Sequence, residues 1–174
     1  MLVLPAAPSR ADCGVERWAT KTLKDPSATK IDFKPVHASI SILRAQTAPA
    51  NLRKVNPDAR FATETKVYSF PALLVGFKKE SDGDYHFVIA DPQKPKLTMI
   101  AEIPDPSCAN PKYSGAFETE RHWAESQHTV SAKYYKFPKP IPVVVIGVNF
   151  FDFIHGQTGV APNGVELHPL LSIK

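Results

Sequence analysis

Apolar and polar positions alternate along most of the second half of the chain, and a period of two marks β-strands. "KVYSFPALLVGFKKE" (residues 66–80) predicts one long strand, with Pro71 and Gly76 marking a bend or bulge. "SDGD" is a hairpin turn, because Asp-Gly readily supplies positive φ angles. "YHFVIADP" is the return strand, and "KLTMIAEIP" a third, with Leu97, Met99, Ala101 and Ile103 on one side. The period then changes: "SGAFETERHWAESQHTV" predicts a helix with Ala116, Phe117, Trp123 and Ala124 on its apolar face and Ser114 as its cap. "IPVVVIGVNFFDF" and "VELHPLLSI" predict two closing strands.

The first half is less regular. "KPVHASISILR" (residues 34–44) alternates as a strand with Val36, Ala38, Ile40 and Ile42 on one face. Residues 45–65 are small, polar and proline-containing, without periodicity, and form a linker or long loop. Three strands, a helix and two strands predict a mainly β fold: a five-stranded OB-like Greek-key barrel with one helix between strands 3 and 4, plus an extended N-terminal arm. A β-sandwich with one helix accommodates the same order. The division is a signal-peptide remnant over 1–11, an arm with one strand and linker over 12–65, and the barrel over 66–174.

Composition changes this picture little. The chain has 174 residues, 43% of them hydrophobic and 22% charged, which suits one soluble globular domain. Seventeen prolines against eight glycines favour extended segments and stiff loops and argue against a helical bundle. The net charge of +4 is spread along the chain, as on a solvated surface. The start, "MLVLPAAPSRADC", looks like the tail of a signal peptide, with Ser9 and Ala11 at the −3 and −1 positions of a cleavage site. Export to the periplasm or the extracellular space follows, and no other apolar run reaches the ~18 residues of a membrane span. In an oxidising compartment Cys13 and Cys108 can pair, clipping the arm to the body; the alternative is two separate buried thiols. Neither has a CxxC partner, so a thiolate zinc site is not expected.

Candidate chemistry concentrates in "FFDFIHGQTGVAPNGVELHPLL" (residues 150–171). Glu166 and His168 are two apart and project to the same face, while Asp152 and His155 end the strand before. If the two strands pair, these four residues form a ligand-binding set at one barrel rim. Histidines with carboxylates suit a divalent cation or acid–base work, and Asp84 and His86 from the hairpin would complete the set. Asp84, His86 and His155 are therefore metal-ligand candidates. Gly156, Gly159, Asn163 and Gly164 are also ordinary turn residues, so a purely structural connection explains the same stretch. Tyr68, Tyr85, Phe87, Tyr134 and Tyr135 offer stacking surfaces or core filling. The chain holds no G-x-S-x-G, P-loop or H-E-x-x-H.

"DGDYHFVI" and "AEIPDP" resemble the staphylococcal nuclease branch of OB-folds, where a DGD turn joins the first two strands and Asp-x-Pro-Glu follows the third. The resemblance covers roughly residues 66–174. It implies a divalent cation held by Asp84 and Glu102, with Asp105 as general base, and makes these three the catalytic candidates. That family clamps phosphate with two arginines, and neither "KLTMIAE" nor "GVELHP" contains one; Lys94 and Lys96 are the nearest cations. A preorganised cation on the developing phosphorane usually carries a large share of the rate. The expected function is thus an exported binding or interaction module, for nucleic acid or oligosaccharide, with a metal-dependent, nuclease-like phosphodiesterase as the alternative. The last fifty or so residues also resemble uncharacterised exported bacterial proteins that end in a similar HGQTGVAPNG-ELHP signature.

Overall fold

Two strands in this chain are long enough to bend, and they close the sheet into a barrel. The computed structural model describes residues 13, 14, 16–50, 52, 56 and 58–174. The signal-peptide remnant expected over 1–11 lies outside the described residues. The strands are β1 (Asp32–His37), β2 (Lys66–Lys79), β3 (Tyr85–Ala90), β4 (Thr98–Ile103), β5 (Tyr135–Phe151) and β6 (Val165–Ile173). The helices are α1 (Trp18–Lys21), α2 (Ile40–Arg44) and α3 (Pro111–Gln127).

Around the barrel the order is β2-β3-β4-β6-β5, and β5 returns to pair antiparallel with β2. β4 and β6 run parallel, with Ile100 opposite Glu166 and Ala101 opposite Leu167. This is the OB-like arrangement, with α3 between the third and fourth barrel strands. β1 adds a sixth strand, parallel to β2. The register of β2 slips between Leu74 and Gly76 against both β3 and β5, placing a bulge where the sequence suggests one. Gly83 takes φ 93° in the DGD turn, a backbone angle that a side chain disfavours.

The interior is apolar and tightly filled: Phe70, Phe77, Phe87, Met99, Ala101, Ile103, Val145, Phe151 and Leu167 are all essentially inaccessible. α3 packs on it through Phe117 and Ala124.

The helix differs from the expectation in two ways. It begins at Pro111 under the cap of Asn110, whose side chain accepts from Lys112 N, because proline at the first helical position sacrifices no hydrogen bond. Ser114 lies inside it and donates to Pro106 O. Its buried face is Phe117, Glu120, Arg121 and Ala124, while Ala116 is exposed. The two charged members are tolerated because backbone groups satisfy them: Ile173 N donates to Glu120 at 2.9 Å, and Arg121 donates to Gly83 O at 2.9 Å.

The predicted strand over 34–44 is also corrected. β1 stops at His37, and Ser39 then caps α2 by accepting from Ile42 N. Ile40 and Leu43, three apart, are buried, and Ile42 is 59% exposed. A capping serine and helical spacing override an alternation only four positions long.

The arm is tied to the barrel by a disulfide and by Arg17, and two buried ion pairs brace it internally. Cys13 and Cys108 form a disulfide. Arg17 makes a buried bidentate pair with Glu64, 2.7 Å to each oxygen, and also donates to Phe151 O. Arg60 pairs with Asp25 at 2.7 Å. Residues 45–65 are therefore structured at their end, where a turn of 3-10 helix (Ala62–Thr65) presents Glu64.

Candidate functional site: an acidic cleft under the arm

β3, β4 and β6 place two faces in register. Phe87, Ile89, Met99, Ala101, Ile103 and Leu167 point into the barrel core. The alternate residues, His86, Val88, Ile100, Glu102, Glu166 and His168, therefore lie on the outer face. All are buried or nearly so, because the arm and the loop 152–164 cover them. Between cover and sheet lies a cleft of about 550 Å³, lined among others by Lys21, Glu80, Asp84, His86, Glu102, Asp152, His155 and Glu166. Both groups of site residues suggested by the sequence, from the hairpin and from the C-terminal stretch, thus converge on one cleft. It sits on the outer barrel face and not at a rim.

A row of three side chains lies at its base: His86 and Glu102 line the floor, and His168 is buried behind them. His86 stands directly opposite Glu102 in the β3–β4 ladder, and His168 stands beside Glu102 on β6. His86 Nδ1 is 2.7 Å from Glu102 Oε1, and His168 Nδ1 is 3.1 Å from Glu102 Oε2. His168 Nδ1 also lies 3.2 Å from Glu166 Oε1, and its Nε2 is 3.3 Å from Asp84 Oδ2. His86 Nε2 faces the backbone oxygen of Thr158 at 3.0 Å. Gly159 holds that loop in place: it has φ 85°, and a Cβ there would come within 2.6 Å of Val88.

Electrostatics follow from crowding. Seven carboxylates line the cleft (Glu16, Glu80, Asp82, Asp84, Glu102, Asp152, Glu166) against Lys21 and Lys78, so it is strongly negative in a chain of net charge +4. Burial opposes the charge of Glu102, yet hydrogen bonds from His168 and His86 hold its pKa well below the usual range. Burial pushes Glu166 up to about 7, assisted by Asp152 and Glu102. Burial disfavours both imidazolium ions, but the carboxylates around them win. Glu102 raises His86, and Asp84, Glu102 and Glu166 raise His168 well above its ordinary value. Burial also raises Asp82, with Asp84 adding to it. Lys21 reaches in from α1 to bond Asp152 at 2.8 Å, and despite its burial the surrounding carboxylates raise it.

Other candidates lie elsewhere or play lesser parts. Asp105 is turned away: its Oδ1 accepts from Ser107, its Oδ2 is 3.9 Å from Arg121, and its backbone N–H donates to Asp84. His155 is exposed at the cleft wall, with its backbone N–H bonded to Gln157. The cations of the cleft are Lys21 and Lys78, not Lys94 or Lys96, and Lys78 is paired with Glu80 at 2.8 Å. Phe87 is core, and Tyr85 is bonded to Glu125 under the Arg121 guanidinium, so neither is a stacking platform.

Lys21, Glu80 and the Thr158 carbonyl had no signal in the sequence beyond Glu80's position beside the DGD turn. No helix among the described residues is long and apolar enough to cross a membrane. In comparisons with protein-family models, curated proteins and solved structures, the chain has no match.

Proposed function

We propose that this chain is an exported binding module that holds a divalent cation in the cleft and uses it to engage its ligand. The observation that supports this most strongly is the row His86–Glu102–His168. Two imidazoles and a carboxylate are gathered from three strands, with Asp84 and Glu166 beside them, in surroundings of excess negative charge. Mixed nitrogen and oxygen donors suit manganese or zinc. An anionic ligand would be repelled by the bare cleft, so nucleic acid, or an oligosaccharide carrying charge, would reach this face only through the cation. The Cys13–Cys108 disulfide fits an oxidising compartment.

Equilibrium dialysis of the chain against manganese and zinc tests the reading. At least one ion should bind, and His168→Ala should weaken it by about 10-fold or more. Failure of every divalent ion to bind would sink the proposal.

A second reading, a metal-dependent phosphodiesterase, is favoured by Asp84 and Glu102 flanking the same imidazole, as the nuclease resemblance implies. Asp105, turned from the cleft, does not stand where a general base would act. Manganese-dependent hydrolysis of bis(p-nitrophenyl) phosphate, abolished in Asp84→Asn, would put this reading first.

A further inference from the structure

We infer that the cleft is built for two divalent ions bridged by Glu102. This rests on the cation-binding reading above and adds the number of ions and the way they are joined. Two sets of three donors are present, Glu80/His86/Glu102 and Asp84/Glu102/His168, and in each the donor atoms lie within 4.8 Å of one another. Glu102 belongs to both. Its Oε1 is turned to His86 and its Oε2 to His168, at 2.7 and 3.1 Å. A carboxylate with one oxygen toward each of two imidazoles has the disposition of a bridging ligand.

The histidines themselves carry the argument beyond acidic crowding. His86 Nε2 lies 3.0 Å from the Thr158 carbonyl, where an N–H would donate, and this leaves the Nδ1 lone pair for a cation. Metal-bound histidines are commonly oriented by such a backbone acceptor. His168 is fully buried, and its Nε2 lies 3.3 Å from Asp84 Oδ2, a carboxylate acceptor that orients the ring as the Thr158 carbonyl orients His86. With its Nε2 proton directed at Asp84, the ring turns its Nδ1 lone pair toward Glu102 Oε2 and Glu166 Oε1, where a cation would sit. Charge points the same way. With neutral imidazoles the lining carries an excess of five negative charges, and two divalent ions neutralise four of them. Lys78 is paired with Glu80 and would yield that oxygen to the second ion.

The test is a metal count together with magnetic coupling. The full chain is dialysed against manganese, the bound metal is measured, and the saturated protein is examined by electron paramagnetic resonance. Two ions per chain with an exchange-coupled spectrum are expected, since ions in two-metal sites lie about 3.5–4 Å apart. Glu102→Gln should bind one ion or fewer and show the uncoupled six-line pattern, while Asp105→Asn, outside the cleft, should retain two coupled ions. One ion per wild-type chain, or two uncoupled ions, overturns the bridged pair and leaves the cation-binding reading standing. No bound ion removes both. If Glu102→Gln does not fold, the wild-type count and coupling decide alone.

Discussion

Through β3, β4 and the first half of β6, as far as His168, the two faces of the sheet differ in the parity of their residue numbers and in chemistry. The odd residues, such as Phe87, Met99, Ala101 and Leu167, fill the barrel with hydrocarbon. The even ones, His86, Glu102, Glu166 and His168, are buried too, yet they are the polar groups at and just behind the cleft floor. Burial alone therefore does not separate core from site. What separates them is the cover. The inner face is closed by the barrel itself, whereas the outer face is closed by an arm and a loop, and these are held by a disulfide, buried ion pairs and Asn163 reaching to α2. The outer face therefore keeps a cleft between sheet and cover, lined by charged groups.

The comparison can be broken from the inner side first. Phe87→Ala should cost about 3–5 kcal/mol in urea unfolding, through lost burial and the cavity left behind. The cost should be the same with and without manganese. A loss below about 1 kcal/mol would mean that the inner face is not the stabilising one.

Removing the clip tests the cover. Cys13→Ser with Cys108→Ser opens a loop of 95 residues, and the chain-entropy model puts its value at ~4–5 kcal/mol. Manganese affinity should fall as well, because the arm, with Trp18, forms part of the cleft wall. Unchanged stability and affinity would show that the ion pairs hold the arm without the disulfide.

The pH profile sharpens the contrast on the outer side. Glu166 is raised in the fold, to about 7, so its contribution is fully present below its unfolded pKa and is lost as pH rises through 7. That shift corresponds to about 3 kcal/mol. His86 and His168, also raised, lose stability in the same direction above their unfolded value of about 6.5. Glu102, lowered, contributes fully above its unfolded pKa and acts the other way only in acid. The metal-free melting temperature should therefore fall between pH 5 and pH 8, and Glu166→Gln should flatten part of that slope. A level wild-type profile would contradict the buried, proton-retaining Glu166. The smallest effect is expected at Lys21→Met: removing a cation near the cleft should tighten manganese binding by less than about 10-fold, read by calorimetry.

Much of the architecture was legible along the chain. The strands over 66–80, 85–92 and 96–104, the DGD turn and the last strand stand close to where their patterns put them, while α3 starts at Pro111 and β5 at Tyr135, both earlier than expected. The pattern failed at Ile40 and Leu43, where a four-position alternation hid a helical turn, and at α3, where Glu120 and Arg121 replaced the expected apolar face. Polar residues are hard to place inside by pattern, since their burial depends on partners far away in sequence. Site residues were half legible. Glu166 and His168 declared a shared face by their spacing, but nothing local joined them to His86 or to Lys21.

By itself the sequence determined the local quantities: which residues share a face of each strand, where the chain turns, the order of elements, and that two cysteines were available to pair. Those follow from period, φ preferences and chain order, which act over a few residues. The tertiary structure decided that one set of candidates and the other lie in a single cleft, that Asp105 is excluded from it, and that Arg17, Lys21 and Glu64 belong to its support. Closure of the barrel brings β4 beside β6, and docking of the arm brings Arg17 to Phe151 across 134 positions. Contacts of that range are fixed by how surfaces pack and charges pair in three dimensions, and no spacing along the chain records them.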